Sequence, residues 1–108
     1  MAPRAQDNPK PPKAYEEFVR RFPKLGEAWE AIAEAGNDGP LEEQTRRLVK
    51  LAVAIGAMRE EAVRASVRKA RAAGIDMRAL EQVIALAAGT IGLPAAVAAF
   101  TWLEQAED

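Results

Sequence analysis

The stretch from Leu41 to Gly74, LEEQTRRLVKLAVAIGAMREEAVRASVRKARAAG, constrains most tightly what this chain can become. Leu41, Thr45, Leu48, Val49, Ala52 and Ile55 recur at spacings of three and four, and so do Ala62, Val63, Ser66, Val67 and Ala70. That period puts each set on one face of a 3.6-residue helix, so the stretch predicts two amphipathic helices in succession. Over LAVAIGAM the first becomes apolar all round, as expected of a central, mostly buried element. Ser66 interrupts the face of the second. A hydroxyl there either bonds back to the carbonyl of Ala62 one turn earlier, the commoner arrangement, or answers to a polar requirement of function.

A chain of 108 residues supports one domain with a single modest core. Leu, Ile, Val, Ala and Met supply most of the apolar share, aromatics are only 6%, and no stretch alternates as a strand does, so the expected fold is all-α. Fifteen Lys and Arg against sixteen Asp and Glu leave a net charge of −1, which exerts no global pull on nucleic acid or an anionic membrane. Cys and His are both missing. Without Cys there is no disulfide, thiol nucleophile or thiolate metal site, and without His there is no imidazole acid–base chemistry and no Ser-His-Asp triad. The reading therefore carries no metal and no cofactor. No apolar run reaches the length of a membrane span and MAPRAQDNPKPP lacks a signal-peptide core, so the expected location is the cytoplasm.

The rest of the chain divides at its prolines and glycines. Residues 1–12 read as a flexible Pro-rich arm, and residues 13–106 as one helical domain of about six helices. Tyr15, Phe18 and Val19 share a face of a short helix from Lys13 to Arg21, which Pro23 ends. Leu25, Ala28, Trp29, Ile32 and Ala33 stripe the next, with Gly36 expected as its left-handed cap. Asn37-Asp38-Gly39-Pro40 is a turn into the central pair. Asp76 is the expected N-cap of a helix striped by Met77, Leu80, Ile84, Ala87 and Ile91, and Gly92 stops it. Pro94 begins the last helix, with Val97, Phe100, Thr101 and Leu103 or Glu104 toward a partner surface. Trp29, Phe100 and Trp102 are expected packing anchors. A small domain this rich in Ala and Val often completes its core by self-association, so a homo-oligomer is expected.

Gly39-Pro40-Leu41, Leu51-Ala52-Val53-Ala54, Ala72-Ala73-Gly74 and Gly92-Leu93-Pro94-Ala95-Ala96 together resemble the carboxymuconolactone decarboxylase family and its alkylhydroperoxidase D-like relatives. The likeness runs from about Phe18 to Phe100, with Phe22-Pro23-Lys24-Leu25 fitting upstream. It implies an alkylhydroperoxidase D-like helical fold and assembly as a trimer or hexamer. The redox branch of that family is marked by a Glu followed by Cys-x-x-Cys-x-x-x-His. Laid on this sequence, the Glu falls on Arg47, the two Cys on Arg59 and Ala62, and the His on Ser66. The decarboxylase branch resembles Arg-Glu-Glu followed four residues later by His. This chain keeps Arg59-Glu60-Glu61 and again has Ser66 in the His position.

The expectation is thus a protein without thiol peroxidase activity, a degenerate family member or pseudoenzyme that retains a binding pocket. Arg47, Arg59 and Ser66 are its candidate ligand-binding residues, the two guanidinium groups offering charge to a small carboxylate. The alternative is a lactone decarboxylase or related proton-transfer enzyme, with Glu60 or Glu61 as base, Ser66 nearby and an Arg stabilising an enolate. An oligomeric scaffold, whose Arg64, Arg68 and Arg71 stripe meets an acidic partner, is a third reading. Neither a membrane nor a nucleic-acid partner is expected, because no recognised motif or aromatic interleaving accompanies the basic residues.

Overall fold

The computed structural model describes residues 13–106, and among them the chain is all-α, with six helices and no strand. These are α1 (Lys13–Arg21), α2 (Pro23–Gly36), α3 (Glu43–Gly56), α4 (Glu60–Ala72), α5 (Met77–Ile91) and α6 (Leu93–Ala106). The expected arm at residues 1–12 lies outside the described residues. The helices fall into two compact units, α1–α2 and α3–α6.

In the first unit Pro23 opens α2 where a missing N–H costs nothing, and Phe22 joins the helices through Leu25 N–H donating to its carbonyl at 2.9 Å. Gly26 lets the pair close: a Cβ there would stand 3.2 Å from Cβ of Val19. The Phe18 and Phe22 rings meet at 5.2 Å between centroids. Glu17 holds both Arg20 and Arg21 on the outer face of α1. No residue of either helix is buried. Trp29, an expected anchor, is 54% exposed, so it is not buried as an anchor within its own unit.

The second unit holds the core. Leu51 and Ile55 of α3, Val63 and Val67 of α4, Leu80 of α5 and Leu103 of α6 are almost fully buried, and Trp102 packs against them. Alanines fill the α6 side at Ala96, Ala99 and Ala106, which brings helix backbones close. The α3–α4 and α4–α5 turns share one device. Arg59 N–H reaches back to the Ala54 carbonyl at 3.1 Å and Ile75 N–H to that of Ala70 at 3.0 Å, around a left-handed residue that is Met58 in the first case and Gly74 in the second. Asp76 caps α5 as expected, accepting from Arg78 N–H at 3.3 Å. Gly92, at φ +91°, turns the chain between α5 and α6.

Three expectations require correction. The buried face of α3 is Leu51, Ala54 and Ile55 with Leu48 at its edge, whereas Leu41, Val49 and Ala52 are exposed. A segment apolar all round has no period to select one face, and the packing partner selects it instead. Gly36 is not left-handed: it ends α2 within the helix, and Asn37 takes the C-cap at φ −90°. On α6 Leu103 is taken into the core instead of being left toward a partner surface, whereas Val97, Phe100 and Thr101 do stay exposed.

Candidate functional site

The sequence candidates all lie on the antiparallel pair α3–α4, which the three-residue turn 57–59 joins. Arg59 is the N-cap of α4, with extended backbone at φ −99° and ψ 96°. Its side chain is exposed and makes no ion pair or hydrogen bond with the described residues. Ser66 lies seven residues on, about 10 Å further along the axis, and the extended backbone at Arg59 takes that residue out of the helical period. Ser66 is half-buried, and its hydroxyl bonds to no described group. The expected back-bond to Ala62 is not made, although Thr101 makes the equivalent bond to the Val97 carbonyl at 3.1 Å. Arg47 comes from α3, where its guanidinium is 25% exposed and has Glu43 at 3.5 Å as its ion-pair partner. That separation is at the outer limit of a hydrogen bond and worth a fraction of a kcal/mol, about 0.3–0.5 for a pair of this spacing.

Glu60 and Glu61 occupy the first turn of α4, where the helix dipole favours negative charge. Both are drawn to Arg64, Glu60 at 2.6 Å and Glu61 at 3.8 Å. The Glu60 carboxylate is therefore engaged by the Arg64 guanidinium rather than left open toward a substrate. Arg64 also donates to Gln105 of α6, and Arg71 donates to the Ile75 carbonyl at 3.0 Å. Two of the three arginines of the Arg64, Arg68, Arg71 stripe thus make contacts within their own chain. Among the described residues no group of His, Cys, Asp and Glu could hold a metal ion, and no helix is long and apolar enough to cross a membrane.

Two features escaped sequence reasoning. The first is a cationic group at the end of the pair away from the turn. Partial desolvation lowers the pKa of Lys69, and the charges of Lys50, Arg47 and Arg68 lower it further. Arg47 and Lys50 are one turn apart on α3, a signal visible in the sequence, but nothing in the sequence placed Lys69 beside them. The second is an open groove of about 520 Å³ between α3 and α5, lined by Thr45, Leu48, Val49 and Ala52 on one side and Val83, Leu86 and Ala87 on the other. Its α3 wall is the face that the periodicity had assigned to the core. Thr45 and Thr90 are its only hydroxyls, so it can take an apolar group and offers little to orient a polar one.

Residues 23–105 match the family described as Carboxymuconolactone decarboxylase family. Neither a curated protein nor a solved structure matches the chain.

Proposed function

We propose, from the premise that this chain belongs to the carboxymuconolactone decarboxylase family, that it is a non-redox member which binds a small carboxylate and works as a homo-oligomer. The observation that carries the reading is that neither the Arg59 guanidinium, at the start of α4, nor the Ser66 hydroxyl, two turns on, spends its hydrogen-bonding capacity on the described residues. Arg59 offers a planar fork to a carboxylate. Arg47, on α3 well before the turn, adds charge only at longer range. Thiol peroxidase chemistry is outside the reach of a sequence with no Cys.

Self-association is supported by apolar surface. Leu86 and Leu93 are 72% and 70% exposed, and Val53, Val97, Trp29 and Ile32 are each more than half exposed. Each unit thus exposes large apolar side chains of its own, the kind of surface that self-association covers. A lactone decarboxylase reading needs Glu60 or Glu61 as base, and the hold of Arg64 on both weighs against it.

Native mass spectrometry combined with a succinate titration tests the proposal. The expected outcome is a trimer or hexamer that binds succinate saturably, with affinity at least about tenfold weaker in the Arg47→Ala/Arg59→Ala double variant. A monomer, or an affinity indifferent to both substitutions, overturns it. Turnover of a lactone that disappears in Glu60→Gln/Glu61→Gln would replace it with the enzyme reading.

A further inference from the structure

Each of the two units leaves an apolar surface open, one a ridge and one a groove. On α2, Leu25, Trp29 and Ile32 follow one another at spacings of four and three, so they form a single stripe about 10 Å long. All three are about half exposed or more, and no residue of α2 is buried, so its own unit leaves the stripe uncovered. On the second unit the groove lies between α3 and α5. Leu48, Val83 and Ile91 line it and pack against the core, which fixes its floor, while Leu86 stands 72% exposed at its edge. The α3 wall runs from Thr45 to Gly56, about 16 Å, so it is long enough for the stripe. A volume of about 520 Å³ with two threonine hydroxyls as its polar lining suits a few large apolar side chains better than a polar solute.

Charge matches as well. The helix α2 carries Glu27, Glu30 and Glu34 against Lys24, whereas α3 carries Arg46, Arg47 and Lys50 against Glu43. An acidic helix and a basic groove wall attract, which favours this pairing over stripe on stripe or groove on groove. An amphipathic helix that lays regularly spaced apolar anchors into a groove is a recurrent mode of recognition. We propose that α2 of one copy of this chain docks its Leu25, Trp29, Ile32 stripe in the α3–α5 groove of a second copy. The inference rests on the self-association proposed for this chain and gives it an interface; the carboxylate ligand has no part in it. Because the two surfaces differ, copies join head to tail in a ring or reciprocally in a pair.

Two surface variants and their mixture test this by native mass spectrometry, with circular dichroism to check that each keeps its helices. Trp29→Glu spoils the stripe and Leu86→Glu the groove. Both side chains are more than half exposed, so each variant should fold, and each should associate at least about tenfold more weakly than the parent. Mixed in equal amounts, they should recover assemblies that hold both variants, since such a pair keeps one intact stripe against one intact groove. A groove filled by α2 of its own chain gives no recovery on mixing, and a groove reserved for a small apolar ligand leaves association indifferent to Leu86→Glu; either result overturns the proposal. Leu93→Glu is the control, 70% exposed and outside the groove lining. Association lost in Leu93→Glu and kept in Leu86→Glu overturns the proposal and leaves self-association standing, whereas a monomeric parent overturns both.

Discussion

The two units are built from the same kind of helix and reach opposite ends. Both α2 and α4 carry an apolar stripe at helical spacing, yet Val63, Val67 and Ala70 of α4 are buried while Leu25, Trp29 and Ile32 of α2 are about half exposed. The difference is not propensity. Helices α3–α6 each pack against two others around one shared core, whereas α1 and α2 have within their unit only one another, and two short helices cannot surround a side chain. Amphipathicity marks a face that is to be covered and leaves the cover unspecified.

Truncating one anchor in each unit gives the most forceful test of this contrast. Leu51→Ala should cost about 3 kcal/mol in urea unfolding, the ordinary loss for a leucine of zero exposure. Trp29→Ala should cost much less in the isolated subunit, at most about 1 kcal/mol. Its larger effect should be on subunit association, read by sedimentation. Equal stability losses at the two positions would show that the first unit has a core of its own.

Glycines sharpen the comparison at a smaller scale. Gly74 stands at φ +89°, so Gly74→Ala should destabilise by about 1–2 kcal/mol. Gly36 has helical backbone and open space around its Cα, so Gly36→Ala should be neutral or raise stability by up to about 1 kcal/mol. Met58, left-handed at φ +53° in the turn before α4, reverses the logic: Met58→Gly should stabilise by up to about 1 kcal/mol. Thermal denaturation of the three variants under one buffer decides all of them.

The smallest effect concerns Lys69. Its folded pKa lies below the ordinary lysine value of 10.5, so between the two values the unfolded chain holds more protons than the folded one, and stability rises with pH across that window. Below the window the unfavourable charge is fully present. Lys69→Gln should therefore unfold at higher urea than the parent at neutral pH, with the advantage shrinking as pH passes 10.5.

The candidate site was legible in part. Arg47, Arg59 and Ser66 were singled out because the resemblance puts reactive side chains at those positions, and in the structure Arg59 and Ser66 make no hydrogen bond with any described residue. Periodicity could not say that the Ser66 hydroxyl would forgo the Ala62 carbonyl, because that choice depends on a rotamer and on what lies opposite. Nor could it put Lys69 beside Lys50, nineteen residues earlier in sequence and on another helix. The grip of Arg64 on both Glu60 and Glu61 was equally hidden, although the spacings of three and four residues allowed it.

By itself the sequence determined what is local: six helices, their prolines and glycines as boundaries, the Asp76 cap, and the exclusion of thiol and imidazole chemistry by composition. These follow from hydrogen bonds and dihedral preferences reaching a few residues along the chain. The tertiary structure alone decided which side of α3 enters the core, that its other side walls a groove with α5, and that four cations from two helices share one end of a helix pair. Each of those depends on groups distant in sequence meeting in space. A helix that is apolar on every side, or a lysine with no partner in its own segment, carries no local mark of which neighbour it will meet.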